Sequence, residues 1–280
     1  MKLITSEKIF NRFATNEVVT VEGEASLYER IMPWLEESER WLTNTLLGED
    51  ALNEIATQAS SLFASACGAV AFGALRLAIP HLDLILTPNG FGVVNTANVV
   101  PASKERVERL IISCEASQLL FMEQLLMGLR GVKPWQESAQ FAWLTSSLLQ
   151  LPSDAVPVKQ PGMWQRFMEA REKSAPIEAE FEELYFGAEL MKRLRRVLAL
   201  PHLDSPLALI VASQLRASLL QRIYPVQGAC AHGDDDLVRI VNFVRSRPTE
   251  FPEWQRSPVA HLYNDPAVFK NKKGAQGFWF

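Results

Sequence analysis

Cysteine is scarce. Cys67, Cys114 and Cys230 are the only three in 280 residues, they stand far apart, and none belongs to a C-x-x-C pair. That spacing argues against a disulfide framework and a thiolate zinc site, and points to reduced, buried thiols in a protein made in the cytosol. An excess of either charge is also lacking. The formal net charge is −4, and nothing resembles the dense Lys/Arg surface that phosphate backbones require. There is no GxSxG elbow and no GxxxxGK[ST] loop, and Gly90-Phe91-Gly92 is too short for a dinucleotide loop. The opening MKLITSEKIF has no apolar h-region, so it does not read as a signal peptide.

What is present is apolar and helical. With 48% hydrophobic and 21% charged residues, the chain can bury a sizeable core without staples. Leu27, Ile31, Trp34, Leu35, Trp41 and Leu42 recur at helical steps over 24–47, with Pro33 as a kink or a later start and Gly48 as the stop. A second helix is expected over 50–78. Its stretch from Ile55 to Leu75 carries no charge and is long enough to span a bilayer, but its many small and hydroxyl residues suit a packed interior helix better. LDLILTPNGFGVV then changes period around Pro88-Asn89-Gly90, which predicts a small β-hairpin near 83–95. Ser103 opens a long helix that ends at Gly131, and another is expected over 135–149. The proline-rich LPSDAVPVKQPG marks a boundary, followed by helices over 163–173, 177–200, 206–224 and 234–245.

One heptapeptide occurs nearly twice: LAIPHLD at Leu77–Asp83 and LALPHLD at Leu198–Asp204. Each copy follows a long apolar helix, so a duplicated helical unit with the heptapeptide at its helix ends is expected. The fold class that follows is mainly α. It comprises a first helical unit with the hairpin (1–150), a related second unit (151–246) and an extended aromatic C-terminal tail (247–280).

Candidate chemistry has a structural alternative at every point. His81, Asp83, His202 and Asp204 could form a four-ligand zinc or iron site across the duplication, or could simply end helices and cap turns. His232 with Asp234, Asp235 and Asp236 could hold a hard cation, yet the helix starting directly after them makes capping the simpler reading. Lys192, Arg193, Arg195 and Arg196 form the one basic cluster, either a solvated helix face or a contact for an acidic partner. The tail holds Trp254, Tyr263, Phe269, Phe278, Trp279 and Phe280. These either pack back on the chain or dock on a neighbour as an arm.

The stretch LTPNGFGVVNTANVVPASKERVERLI, Leu86–Ile111, resembles a family encoded in tailed-phage and prophage structural gene clusters, and the terminal GFWF (Gly277–Phe280) is similar to C-termini found there. The resemblance implies a head–tail connector (adaptor, head-completion) protein of the virion neck. Such a protein is a homo-oligomeric ring, for instance a dodecamer, made in the host cytoplasm and placed between the portal protein and the tail or a second neck protein. DNA passes through its lumen without sequence-specific binding. It implies no enzyme activity, no cofactor, no metal and no membrane role. Known connectors have one helical unit, so a duplication departs from the pattern. The contact residues expected are the hairpin tip, Asn89, Gly90 and Phe91, and the tail aromatics.

Overall fold

The computed structural model describes residues 2–13, 25–57, 61–82, 84–87, 90–93, 102–155, 162–225 and 233–263. The chain is mainly α-helical and divides into two compact units, Met1–Ser174 and Ala175–Phe280. The division falls inside a helix running from Met163 to Phe181, which continues through Pro176 without ending.

The first unit begins with α1 (Glu7–Phe10) and α2 (Leu27–Leu42). Ser26 and Glu29 form a reciprocal capping box that sets the start of α2, and Pro33 sits inside the helix. After a π-turn, Thr43–Leu47, come α3 (Glu49–Thr57) and α4 (Ser61–Leu82), which together cover the described part of the helical stretch expected over 50–78. α4 is buried from Ser65 to Ala74 without a break and forms the centre of the unit. A Cβ at Gly73 would collide with Ser38 Oγ and the Gln118 amide, so glycine is what lets α2 and the next long helix approach α4 there.

Two antiparallel strands follow, β1 (Leu84–Thr87) and β2 (Gly90–Val93), in a register pairing Leu84 with Val93 and Thr87 with Gly90. α5 (Lys104–Leu129) then runs back along α4, with Phe121 stacked on Phe72. The expected helix over 135–149 is instead two short ones, α6 (Lys133–Gln136) and α7 (Ala139–Leu144). α8 (Pro152–Ala155) lies within the linker, and α9 (Met163–Phe181) follows. Arg171 locks this end of the unit. Its guanidinium donates to the carbonyls of Trp143, Leu144 and Leu149 and lies 4.2 Å from the Trp143 ring centre.

In the second unit α9 passes through another π-turn, Glu182–Phe186, into α10 (Ala188–Ala199). α11 (Pro206–Ile223) packs on α10, α12 (Gly233–Arg245) on α11, and α13 (Pro252–Gln255) on α10 and α12. A 3-10 turn, Pro258–Tyr263, follows. The region beyond Arg247 is therefore folded through Tyr263 and not extended. Phe251 and Trp254 are 0% and 1% exposed because their rings fill the core of this unit.

Among the described residues two helices are long and apolar enough to cross a membrane, α4 and α5. The most apolar window of α4 is 61% buried within the chain and that of α5 only 33%. α4 is thus a core helix, whereas α5 leaves apolar surface uncovered.

Candidate functional site

The first unit closes around one tryptophan. The π-turn places the Gly48 N–H on the Thr43 carbonyl, and Gly48 (φ 75°, ψ 159°) breaks the helix before α3 restarts. A helix that stops this way leaves its last carbonyls without intrahelical donors. Trp135, 1% exposed, reaches one of them: its indole Nε1 donates to the Leu46 carbonyl at 2.7 Å. Gln136 donates its amide to the Arg130 carbonyl at the end of α5. Ser138 Oγ donates to the Trp135 carbonyl and accepts the Phe141 N–H, capping α7.

The second unit does the same. The Gly187 N–H meets the Glu182 carbonyl, and Gly187 has φ 75° and ψ 156°. Trp254 Nε1 donates to the Tyr185 carbonyl at 2.8 Å. Gln255 donates to the Arg245 carbonyl at the end of α12. Ser257 Oγ donates to the Trp254 carbonyl and accepts the Ala260 N–H. Each clasp carries the sequence Trp-Gln-x-Ser, WQES at 135–138 and WQRS at 254–257. That tetrapeptide was the signal available for these residues, and the heptapeptide had overshadowed it. Counting from the two glycines, buried positions coincide: Glu39 with Glu178, Leu42 with Phe181, Leu47 with Phe186, Leu52 with Met191 and Ile55 with Leu194.

The two heptapeptides, by contrast, occupy different places. In the first, Pro80 is inside α4 and His81 stacks on Trp34 with centroids 5.8 Å apart, while Arg30 caps the Leu82 carbonyl at the helix end. In the second, α10 stops at Ala199 and Pro201 opens a 3-10 turn, Pro201–Leu203. Asp204 takes two nitrogens of Arg193, at 2.9 Å from Nε and 2.6 Å from Nη2, and also caps the Ser205 N–H. These bonds, the Arg193 pair first, hold the Asp204 carboxyl below its usual range and the Arg193 guanidinium above its own. His202 is exposed, and Asp83 lies outside the described residues. Among the described residues no group of three His, Cys, Asp or Glu side chains is placed to hold a metal ion.

The basic cluster splits in two. Arg193 binds Asp204 and Glu253, and Arg195 binds Glu178 and Glu182, all within the second unit. Lys192 and Arg196 are exposed and flank a cleft of about 490 Å³ whose floor includes Val197 and Leu200. Glu189, Asp204 and Glu253 line the same cleft, so its charges balance. Asp235 and Asp236 lie in the first turn of α12, with Asp236 paired to Arg239, the capping place read from sequence; His232 lies outside the described residues.

Cys67 and Cys114 are free thiols in the core, and burial raises both, Cys67 to about 12. Of the expected contact residues, Trp254 is a core residue and Tyr263 donates its hydroxyl to the Leu184 carbonyl. Each has its polar atom satisfied within the second unit, and the Trp254 ring is buried in its core. Gly90 and Phe91 lie in β2. Asn89, Phe269, Phe278, Trp279 and Phe280 lie outside the described residues. A surface that the sequence reading passed over is on α5, where Ile112, Leu120 and Met127 are 44%, 49% and 57% exposed.

A family model, described as a family of unknown function (DUF6712), matches residues 22–143. That span runs from just before α2 to the end of α7, one clasped unit. No curated protein and no solved structure matches the chain.

Proposed function

We propose that this chain is a non-enzymatic virion structural protein, a head–tail connector that assembles as a homo-oligomeric ring at the neck of a tailed phage, between portal and tail. The observation that carries its non-enzymatic character is the use of the residues able to do chemistry. His81 stacks on Trp34, Asp204 is clamped by Arg193, and Glu39 and Glu178 are buried with backbone amides and an arginine respectively. Each holds one helix or segment to another. The resemblance of Leu86–Ile111 to phage structural gene products supplies the virion context. The exposed apolar face of α5 suits a protein whose work is assembly.

The same reading takes the two units as copies of one module. Their register is Gly48 with Gly187 and Trp135 with Trp254, not that of the heptapeptides. The order helix, π-turn, glycine, helix, two further helices and Trp-Gln-x-Ser clasp is common to both. The β-strands and the first half of α5 have no counterpart of similar length among the described residues of the second, where α12 has 13 residues against 26.

Purified particles test the reading. Mass spectrometry of gradient-purified virions is expected to detect the protein, and electron microscopy of the isolated protein to show rings with a lumen. Absence from particles, together with failure to form rings at any concentration, would overturn it.

A further inference from the structure

The uncovered face of α5 has an internal symmetry. Glu105, Arg109, Ile112, Ala116, Leu120, Glu123 and Met127 follow one another at steps of three and four, which puts them on one stripe of the helix. All are exposed except Glu123, which is half-buried. The spacing is the same in both directions from Ala116: four residues to Ile112 and to Leu120, seven to Arg109 and to Glu123, eleven to Glu105 and to Met127.

Such a stripe fits its own copy running the opposite way. We propose that α5 docks on α5 of a second copy of this chain, antiparallel, about a two-fold axis at Ala116. Ile112 then faces Leu120 of the other copy, twice over, which covers the most apolar part of the stripe. Arg109 faces Glu123 on both sides, so the charges at the flanks are opposite rather than alike. Glu123 keeps one oxygen on the Ser153 N–H, at 2.8 Å, which fixes its position for the guanidinium. Ala116 at the axis has the small side chain that close helix approach, about 8–10 Å between axes, requires. At the ends Glu105 faces Met127, where the carboxylate can stay in water. The overlap is about 34 Å long. A single helix pair falls below the usual interface size, so a dissociation constant on the order of micromolar is expected.

This contact stands apart from the ring reading. A two-fold pairing closes on itself and makes a dimer, whereas a ring needs a head-to-tail surface.

The test uses the full chain in a Cys230→Ser background, with Cys67 and Cys114 left in the core. Ala116→Cys is expected to form a disulfide-linked dimer under mild oxidation. Ile112→Cys should form none alone but should link to Leu120→Cys when the two variants are mixed. In sedimentation equilibrium Leu120→Glu should weaken dimerisation at least about tenfold with an unchanged helical spectrum. Arg109→Glu should weaken it, and adding Glu123→Arg should restore much of the loss. A monomer with no Ala116→Cys link overturns the proposal, as does a dimer indifferent to Leu120→Glu. Flotation with anionic phospholipid vesicles that Leu120→Glu abolishes would assign the stripe to a membrane instead. A dimer lost on deleting 277–280, with no Ala116→Cys link, would assign it to the C-terminal segment. Either result overturns the proposal.

Discussion

Replacing Trp254 with phenylalanine removes one donor and part of one ring from the centre of the second unit. The indole N–H serves a Tyr185 carbonyl that the π-turn leaves without an intrahelical partner. Losing the donor to a buried carbonyl costs about 1–3 kcal/mol. The smaller ring leaves a space beside Tyr263 that adds about 1 kcal/mol. A loss of about 2–4 kcal/mol lowers the melting temperature by roughly 3–7 °C if the whole chain melts as one cooperative unit, and by roughly 9–18 °C if the second unit melts by itself. Differential scanning calorimetry reads this directly. Trp135→Phe should cost a similar amount, since Trp135 makes the same bond to Leu46 at 2.7 Å. Oligomeric state should not change in either variant. If Trp254→Phe melts with the parent protein but loses an assembled species, Trp254 is a partner anchor and the clasp is not what holds the unit. If only one of the two tryptophans matters, the equivalence of the units fails.

Gly187→Ala should destabilise more than Gly48→Ala in chemical denaturation. Both sit at φ 75° with extended ψ, a region nearly reserved to glycine that costs about 1–3 kcal/mol for any side chain, but the new Cβ would lie 2.7 Å from Ser257 Cβ in one case and 2.8 Å from the movable Gln140 Oε1 in the other. Cys67 and Cys114 should resist alkylation at pH 8 in the folded protein and react once it unfolds, as peptide mass spectrometry would show; rapid native labelling of Cys67 would contradict its burial and raised pKa. Asp204→Asn should lower stability at neutral pH by about 1–3 kcal/mol. Because the folded carboxyl titrates below its unfolded value, the pair's contribution is complete above the unfolded pKa and disappears as pH falls through the folded one. The gap between variant and parent should therefore close on acidification, and a gap constant down to pH 2 would refute it.

Periodicity made the long helices legible. α5, α11 and α12 lie close to where the apolar spacing put them, and Ser103 and Gly131 bracket α5. The interruptions were not legible. A π-turn widens the helix without any change of apolar period, so 177–200 reads as one helix although Glu182–Phe186 divides it. Proline misled in the opposite sense. Pro33, Pro80 and Pro176 are all helical: the rest of each helix, with the Ser26 capping box in the case of Pro33 and the Arg30 bond to the Leu82 carbonyl in the case of Pro80, outweighs one lost backbone bond. The aromatics beyond Arg247 look unpartnered along the chain because their partners, Tyr185 and Leu184, are dozens of residues upstream. The α5 stripe was legible in spacing, but only burial shows which of its faces is covered.

The heptapeptides show why identity of sequence is a weaker guide than identity of role. LAIPHLD stays helical through Leu82 because Trp34 packs on His81 and Arg30 takes the last carbonyl. LALPHLD leaves the helix at Leu200, where φ is −129°, because Asp204 is drawn to Arg193 one helix back and must also cap Ser205. The shared Pro, His and Leu thus take two conformations, α-helical in the first copy and 3-10 in the second, each set by partners that lie outside the repeat. The clasps have the opposite character. They share only Trp, Gln and Ser over four positions, yet the same four hydrogen bonds form in both units, because each bond answers a need the π-turn and helix ends create. A shared set of obligations, not the longer string of shared letters, is what supports the proposal that the two units are copies of one module.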